Sequence, residues 1–244
     1  MGELIAVLSG KGGTGKTSVC AGVASALALQ GERVLCIDCD IGLRNLDISL
    51  GMSDTGGLSF WDVCRGDYPL SMASVHPVYD TLHFLTAPMN CPASAIDPAA
   101  FSRMLEQAKG EYDYLFLDAP AGIEAGFDLA ARFADRILLV TGPDPAAIRD
   151  ASRAGELLEL MGKTNVRLIV NRINKKIAAS LKLTVDDIMD FAGLPLMGVV
   201  PEDINVTLAA AFKKDLLNYT RKDAAAACCR IARRIQGYPT PIYL

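Results

Sequence analysis

Eight residues, Gly10-Lys11-Gly12-Gly13-Thr14-Gly15-Lys16-Thr17, constrain this chain more than any other feature. They follow an apolar run from Leu4 to Leu8 and precede a helical pattern from Thr17 to Gln30. In the order G-x-x-x-x-G-K-[ST], between a strand and a helix, the glycines let successive backbone N–H groups face one concavity. The positive end of the helix adds to the attraction for phosphate. Lys16 then reaches the terminal phosphates of a nucleotide, the Thr17 hydroxyl ligates Mg²⁺, and Ser18 follows in the same cradle. Such a loop belongs at the carboxyl edge of an open α/β sheet.

The remainder of the chain repeats the strand–helix alternation. Further unbroken apolar runs lie at Val34 to Asp38, Leu82 to Thr86, Tyr114 to Asp118, Arg136 to Thr141, Arg167 to Asn171 and Met197 to Val200. Runs without polar alternation suit parallel strands covered on both faces, so the fold class is α/β, with a mostly parallel sheet of about seven strands. Helical patterns run from Thr17 to Gln30, Pro98 to Lys109 and Pro145 to Met161, and Gly31, Gly110 and Gly162 stand where each should stop. Thr184 with Asp187 forms a capping-box pattern, and a last helix is expected from Thr220 to Ile235. With no internal repeat and no linker, residues 1–236 read as one domain and 237–244 as a short non-helical tail.

Composition narrows the functional classes. Hydrophobic residues make up 51% of the 244, and 24 basic against 28 acidic residues give a net charge of -4, which disfavours a dedicated nucleic-acid binder. No apolar run approaches the roughly 18 residues of a membrane span, and no secretory leader is legible, so a cytoplasmic location is expected. Seven Cys, scattered through apolar segments, read as reduced core thiols. Cys36 and Cys39 are three apart on a strand, which points them to opposite faces, and Cys228 and Cys229 diverge around a helix. Two His, 76 and 83, leave no zinc site or His-based triad.

Carboxylates and an amide mark the other strand ends. Asp38 and Asp40 close the second run, where a phosphate-transfer site needs one carboxylate near attacking water and another at the metal. Asp118 ends an apolar strand in the Walker B pattern, a second approach to Mg²⁺. Asn171, followed by Arg172, offers an amide that both donates and accepts, as an adenine edge requires. Pro201, Glu202 and Asp203 follow the last strand, where backbone groups can read the same ring.

Lys11, a second lysine inside the loop, resembles the deviant Walker A motif of the MinD/ParA family of ATPases. The strings Asp40-Ile41-Gly42-Leu43-Arg44-Asn45-Leu46-Asp47 and Asp118-Ala119-Pro120-Ala121-Gly122-Ile123-Glu124 are similar to the two switch segments of its MinD branch. The resemblance implies a Mg-dependent ATPase that dimerises around ATP, with Lys11 crossing to the nucleotide of a second copy. It implies that Asp40 positions water, Asn45 helps orient it, Asp38 supports the metal, Gly122 senses the γ-phosphate, and Asn171, Arg172, Pro201, Glu202 and Asp203 surround adenine. By the same resemblance the expected role is division-site placement, with a partner of the MinC or MinE type. Flagellar-number control, chromosome partition and metallocofactor insertion are its rivals. The string Ile148 to Arg153 resembles the partner-binding helix of the branch, although Gly142 departs from its Asn-Pro or Thr-Pro pattern.

From Lys213 to Arg234 seven basic and two acidic residues give a local charge of +5. The last nine residues hold two prolines and a glycine, which forbids the amphipathic tail helix usual in the branch. Membrane attraction is therefore expected to be weak, or indirect through a partner, and no sequence-specific nucleic-acid binding is expected.

Overall fold

The structure, a computed structural model, describes residues 1–41, 43–89, 95–174, 176–177, 180 and 183–243. Its strands are β1 (Glu3–Leu8), β2 (Val34–Asp38), β3 (Ser74–Val75), β4 (Leu82–Leu85), β5 (Tyr114–Asp118), β6 (Arg136–Thr141), β7 (Val166–Ile173) and β8 (Leu196–Pro201). They form one sheet in the order β3-β4-β2-β5-β1-β6-β7-β8, parallel throughout except for the β3–β4 pair. The central strand shows why its sequence does not alternate. Ile5 and Val7 enter the core on one face while Leu4, Ala6 and Leu8 enter the core on the other.

The helices are α1 (Lys16–Ala28), α2 (Leu46–Ser49), α3 (Phe60–Cys64), α4 (Pro98–Glu111), α5 (Ala125–Phe133), α6 (Pro145–Leu160), α7 (Val185–Ala192), α8 (Ile204–Ala211), α9 (Leu216–Tyr219) and α10 (Asp223–Ile235). On one face α1 lies against α10, so closely that a Cβ on Gly22 would stand 2.7 Å from Cys228 Sγ. A Cβ on Gly198 of β8 would likewise meet Ile231 Cγ1 at 2.5 Å. The opposite face is covered by α4, α5 and α6, which supply Phe101, Phe127 and Leu158 to its core. Helix α6 reaches the phosphate loop itself, since a Cβ on Gly10 would collide with the Asp150 carbonyl oxygen at 2.3 Å.

All seven expected strands are present. The eighth, β3, is a two-residue edge strand too short to leave a pattern. Gly31 and Gly162 adopt φ of 89° and 74°, the left-handed turn that releases the chain after a helix. Gly110 does not: α4 runs through it to Glu111 and ends at Tyr112, whose extended φ of -116° starts the approach to β5. The Thr184–Asp187 capping box forms as expected. The last helix begins three residues later than expected, because Asp215 caps the separate short α9, which Thr220 closes. Cys36 and Cys39 belong to opposite cores, Cys228 is buried beside half-buried Cys229, and Cys91 lies outside the described residues.

Candidate functional site

The phosphate loop turns from β1 into α1 with Gly13 and Gly15 both at φ 81°, a conformation strained for any other residue. Gly15 also has no room for a side chain, because a Cβ would stand 2.3 Å from Asn171 Nδ2. That amide, on β7, donates to the Thr14 carbonyl at 2.8 Å and is nearly buried. Its neighbour Arg172, itself at φ 60°, donates to the Gly13 carbonyl at 3.2 Å. The strand end expected from sequence to meet a base thus braces the glycine-rich loop.

Register brings the carboxylates together. Asp38 and Asp118 are paired neighbours on β2 and β5, both buried. Lys16, only 6% exposed, donates to Asp118 Oδ1 at 2.5 Å and stands 3.3 Å from the Thr17 hydroxyl. Burial raises the Asp118 carboxyl, opposed by the Lys16 charge. Asp38 Oδ1 accepts the Asp40 N–H at 2.9 Å and Oδ2 the Leu46 N–H at 3.2 Å, so this buried side chain anchors both ends of the turn that carries Asn45. Burial first, then the Asp118 charge, pushes Asp38 up to about 7. Asp40 is half-buried and also raised by burial, with the charge of Lys16 opposing. Asn45 is exposed at the start of α2, and Asp47 accepts the Ile48 N–H at 2.8 Å, apart from this cluster. Gly42 lies outside the described residues. Gly122, at φ 96°, donates its N–H to the Ser9 carbonyl at 3.0 Å, which ties the second switch segment to the base of the phosphate loop.

A cavity of about 560 Å³ opens beside the loop, lined by Gly15 and Ser18 on one side and Asn171, Arg172, Pro201, Glu202 and Asp203 on the other. All the expected base contacts thus border one space. Its apolar wall was not legible: Val206 comes from α8, Leu216 from α9, and Ala224 and Cys228 from α10. Asp203 links these parts, capping α8 through Asn205 and accepting the Ala224 N–H at 3.2 Å. Glu202 accepts from Asn174 Nδ2 at 3.1 Å. Arg149 and Arg153 project from α6 into solvent.

The donor set suits Mg²⁺ held in part by phosphate and water: hard oxygens of Thr17, Asp38 and Asp118 adjoin, and no cluster of three His, Cys, Asp or Glu forms among the described residues.

The cavity, the phosphate loop and the carboxylates at one sheet edge define a nucleotide-binding α/β protein. Residues 5–217 match the CobQ/CobB/MinD/ParA nucleotide binding domain, and the chain belongs to that family of P-loop ATPases. Within it, the chain is 36% identical to the septum site-determining protein MinD of Bacillus subtilis, over 99% of this chain and 92% of the relative. It is 37% identical to MinD of Thermotoga maritima, over 99% and 91%. A solved chain of the MinC:MinD cell division protein complex of Aquifex aeolicus superposes with a TM-score of 0.91 at 35% identity, over 99% of this chain and 98% of that one. MinD of Pyrococcus horikoshii, solved with Mg-ADP, superposes with 0.84 at 27% identity, over 96% of each.

Proposed function

We propose that this chain is an ATP-driven dimerisation switch of the MinD type that acts in division-site placement. One observation carries the reading: a loop with two lysines, Lys11 and Lys16, opposite Asp38, Asp40 and Asp118, in a chain similar to MinD proteins over nearly its whole length. ATP occupies the phosphate loop and the adjoining cavity, with adenine between Asn171 and the segment Pro201 to Asp203. Mg²⁺, held by Thr17 and Asp118 with Asp38 in support, neutralises phosphate charge when bound.

The residues of the chain act by position and charge. Lys16 leaves Asp118 for the β and γ phosphates. Lys11 of a second copy adds positive charge where the transferred phosphoryl group develops negative charge, and Asp40 with Asn45 places the attacking water. Hydrolysis removes the group that both lysines grip, and the pair separates. The solved Aquifex assembly supports a partner of the MinC type, and a MinE-type regulator belongs to the same proposal. The chain works on the cytoplasmic side, meeting membrane weakly or through its partners, and reads no nucleic-acid sequence.

The test compares Lys16→Ala with Lys11→Ala by equilibrium ATP binding and by sedimentation in Mg-ATP. Lys16→Ala should lose nucleotide. Lys11→Ala should bind ATP as a monomer yet neither dimerise nor hydrolyse it, and normal dimerisation of that variant would overturn the sandwich.

A further inference from the structure

Lys11 is needed by a second copy, yet here its ammonium is held at home. Lys11 Nζ lies 3.1 Å from Asp144 Oδ1, a carboxylate from the loop that opens α6. The same oxygen accepts the Ala147 N–H at 3.0 Å and so caps that helix, which fixes the acceptor in place. Lys11, Gly12, Asp144 and Pro145 line one groove of about 390 Å³ beside the phosphate loop, so the pair lies on an open surface next to that loop. Gly142 matters to this arrangement. A Cβ there would stand 3.3 Å from Asp144 Oδ2, so a larger side chain would press on the carboxylate.

We propose that Asp144 is a positioning residue for Lys11: it holds in the monomer the ammonium that the dimer uses, and dimerisation proceeds by exchanging this acceptor for the partner's phosphates. The inference rests on the sandwich reading above. The two side chains are 42% and 53% exposed, so the pair tunes the dimerisation threshold and does not block it. Because each of the two copies gives up one such pair, releasing it should lower the midpoint concentration about two- to thirty-fold, the range of two water-exposed ion pairs. Gly142 leaves Asp144 free to serve as this acceptor.

The experiment uses the full chain in Mg-ATP, with the dimerisation midpoint read by sedimentation velocity and monomer ATP affinity by titration. Asp144→Asn removes the charge but keeps a side-chain oxygen to cap α6. Gly142→Asn keeps both charges but crowds the carboxylate. Both should dimerise at lower concentration than wild type with unchanged monomer affinity for ATP. Asp144→Ala should dimerise equally readily but melt earlier, because it alone loses the cap; a purely structural Asp144 would alter melting and leave the midpoint unmoved. A midpoint for Asp144→Asn at or above wild type overturns the proposal. Lys11→Ala separates the two levels: if it still dimerises, the sandwich itself fails, and if it does not while Asp144→Asn is unmoved, only the holding role of Asp144 fails.

Discussion

Replacing Asp118 by Asn leaves the Lys16 ammonium, 6% exposed, without its anion while hardly changing volume. Removing one member of a buried ion pair costs roughly 3–5 kcal/mol, because the remaining charge stays desolvated. Against a total stability of roughly 5–15 kcal/mol this is a large fraction. In a domain of this size each kcal/mol moves the melting point by about 2–4 °C, so the nucleotide-free variant should melt at least about 6 °C below wild type. The double variant Lys16→Met with Asp118→Asn discards the stranded charge and should recover most of that loss, since the pair contributes through mutual compensation and not net attraction. Urea unfolding of the four proteins at low and high salt closes the cycle. If Asp118→Asn costs under about 1 kcal/mol, or the double variant is less stable than either single one, Lys16 is solvated and the buried pair does not organise the site.

Gly15→Ala should abolish ATP binding and destabilise the chain by at least about 1 kcal/mol, because φ 81° disfavours a side chain and the new Cβ meets Asn171 Nδ2 at 2.3 Å; calorimetric titration and melting check it together. Asp38, raised from 3.8 to about 7, binds its proton more tightly folded than unfolded, so its contribution is fully present below its unfolded value and is lost as pH rises through 7. At about 1.4 kcal/mol for each pH unit of the rise, Asp38→Asn should gain up to about 4 kcal/mol relative to wild type between pH 4 and pH 8, read from urea midpoints. A pH-independent difference would place Asp38 in water. His76 behaves oppositely: burial lowers it, its Nδ1 accepts the Val78 and Tyr79 N–H groups at 3.1 and 3.2 Å, and its contribution is lost as pH falls below its unfolded value. His76→Gln should therefore flatten the acid limb of the stability curve.

The phosphate loop was readable because its constraint is local: glycines must stand where φ is positive, and the lysine must follow at a fixed distance. Asp38 and Asp118 stood out in the sequence because each closes an otherwise apolar strand with a carboxylate, although only the register shows them side by side. Arg172 and Glu202 were assigned to the base, and their additional bonds to Gly13 and Asn174 depend on contacts between segments far apart in the chain. The wall formed by Val206, Leu216, Ala224 and Cys228 was illegible for the same reason, since α8 and α9 are short, Ala- and Leu-rich pieces whose positions are set by packing and not by period. Gly110 misled because glycine stops a helix only where the backbone turns left-handed, and α4 has no such turn there.

The cavity shares a wall with the last helix: Ala224 and Cys228 of α10 face it, while Arg230, Arg233 and Arg234 on other sides of that helix meet Tyr243, Tyr238 and the Thr240 carbonyl. A ligand that binds only the folded cavity stabilises everything its wall depends on. If nucleotide fills this cavity as proposed, binding should slow amide exchange along α10 as a unit, and loosening the arginine contacts outside should weaken nucleotide affinity without touching a residue that lines the cavity. Energetically, α10 belongs to the cavity whose wall it helps to build.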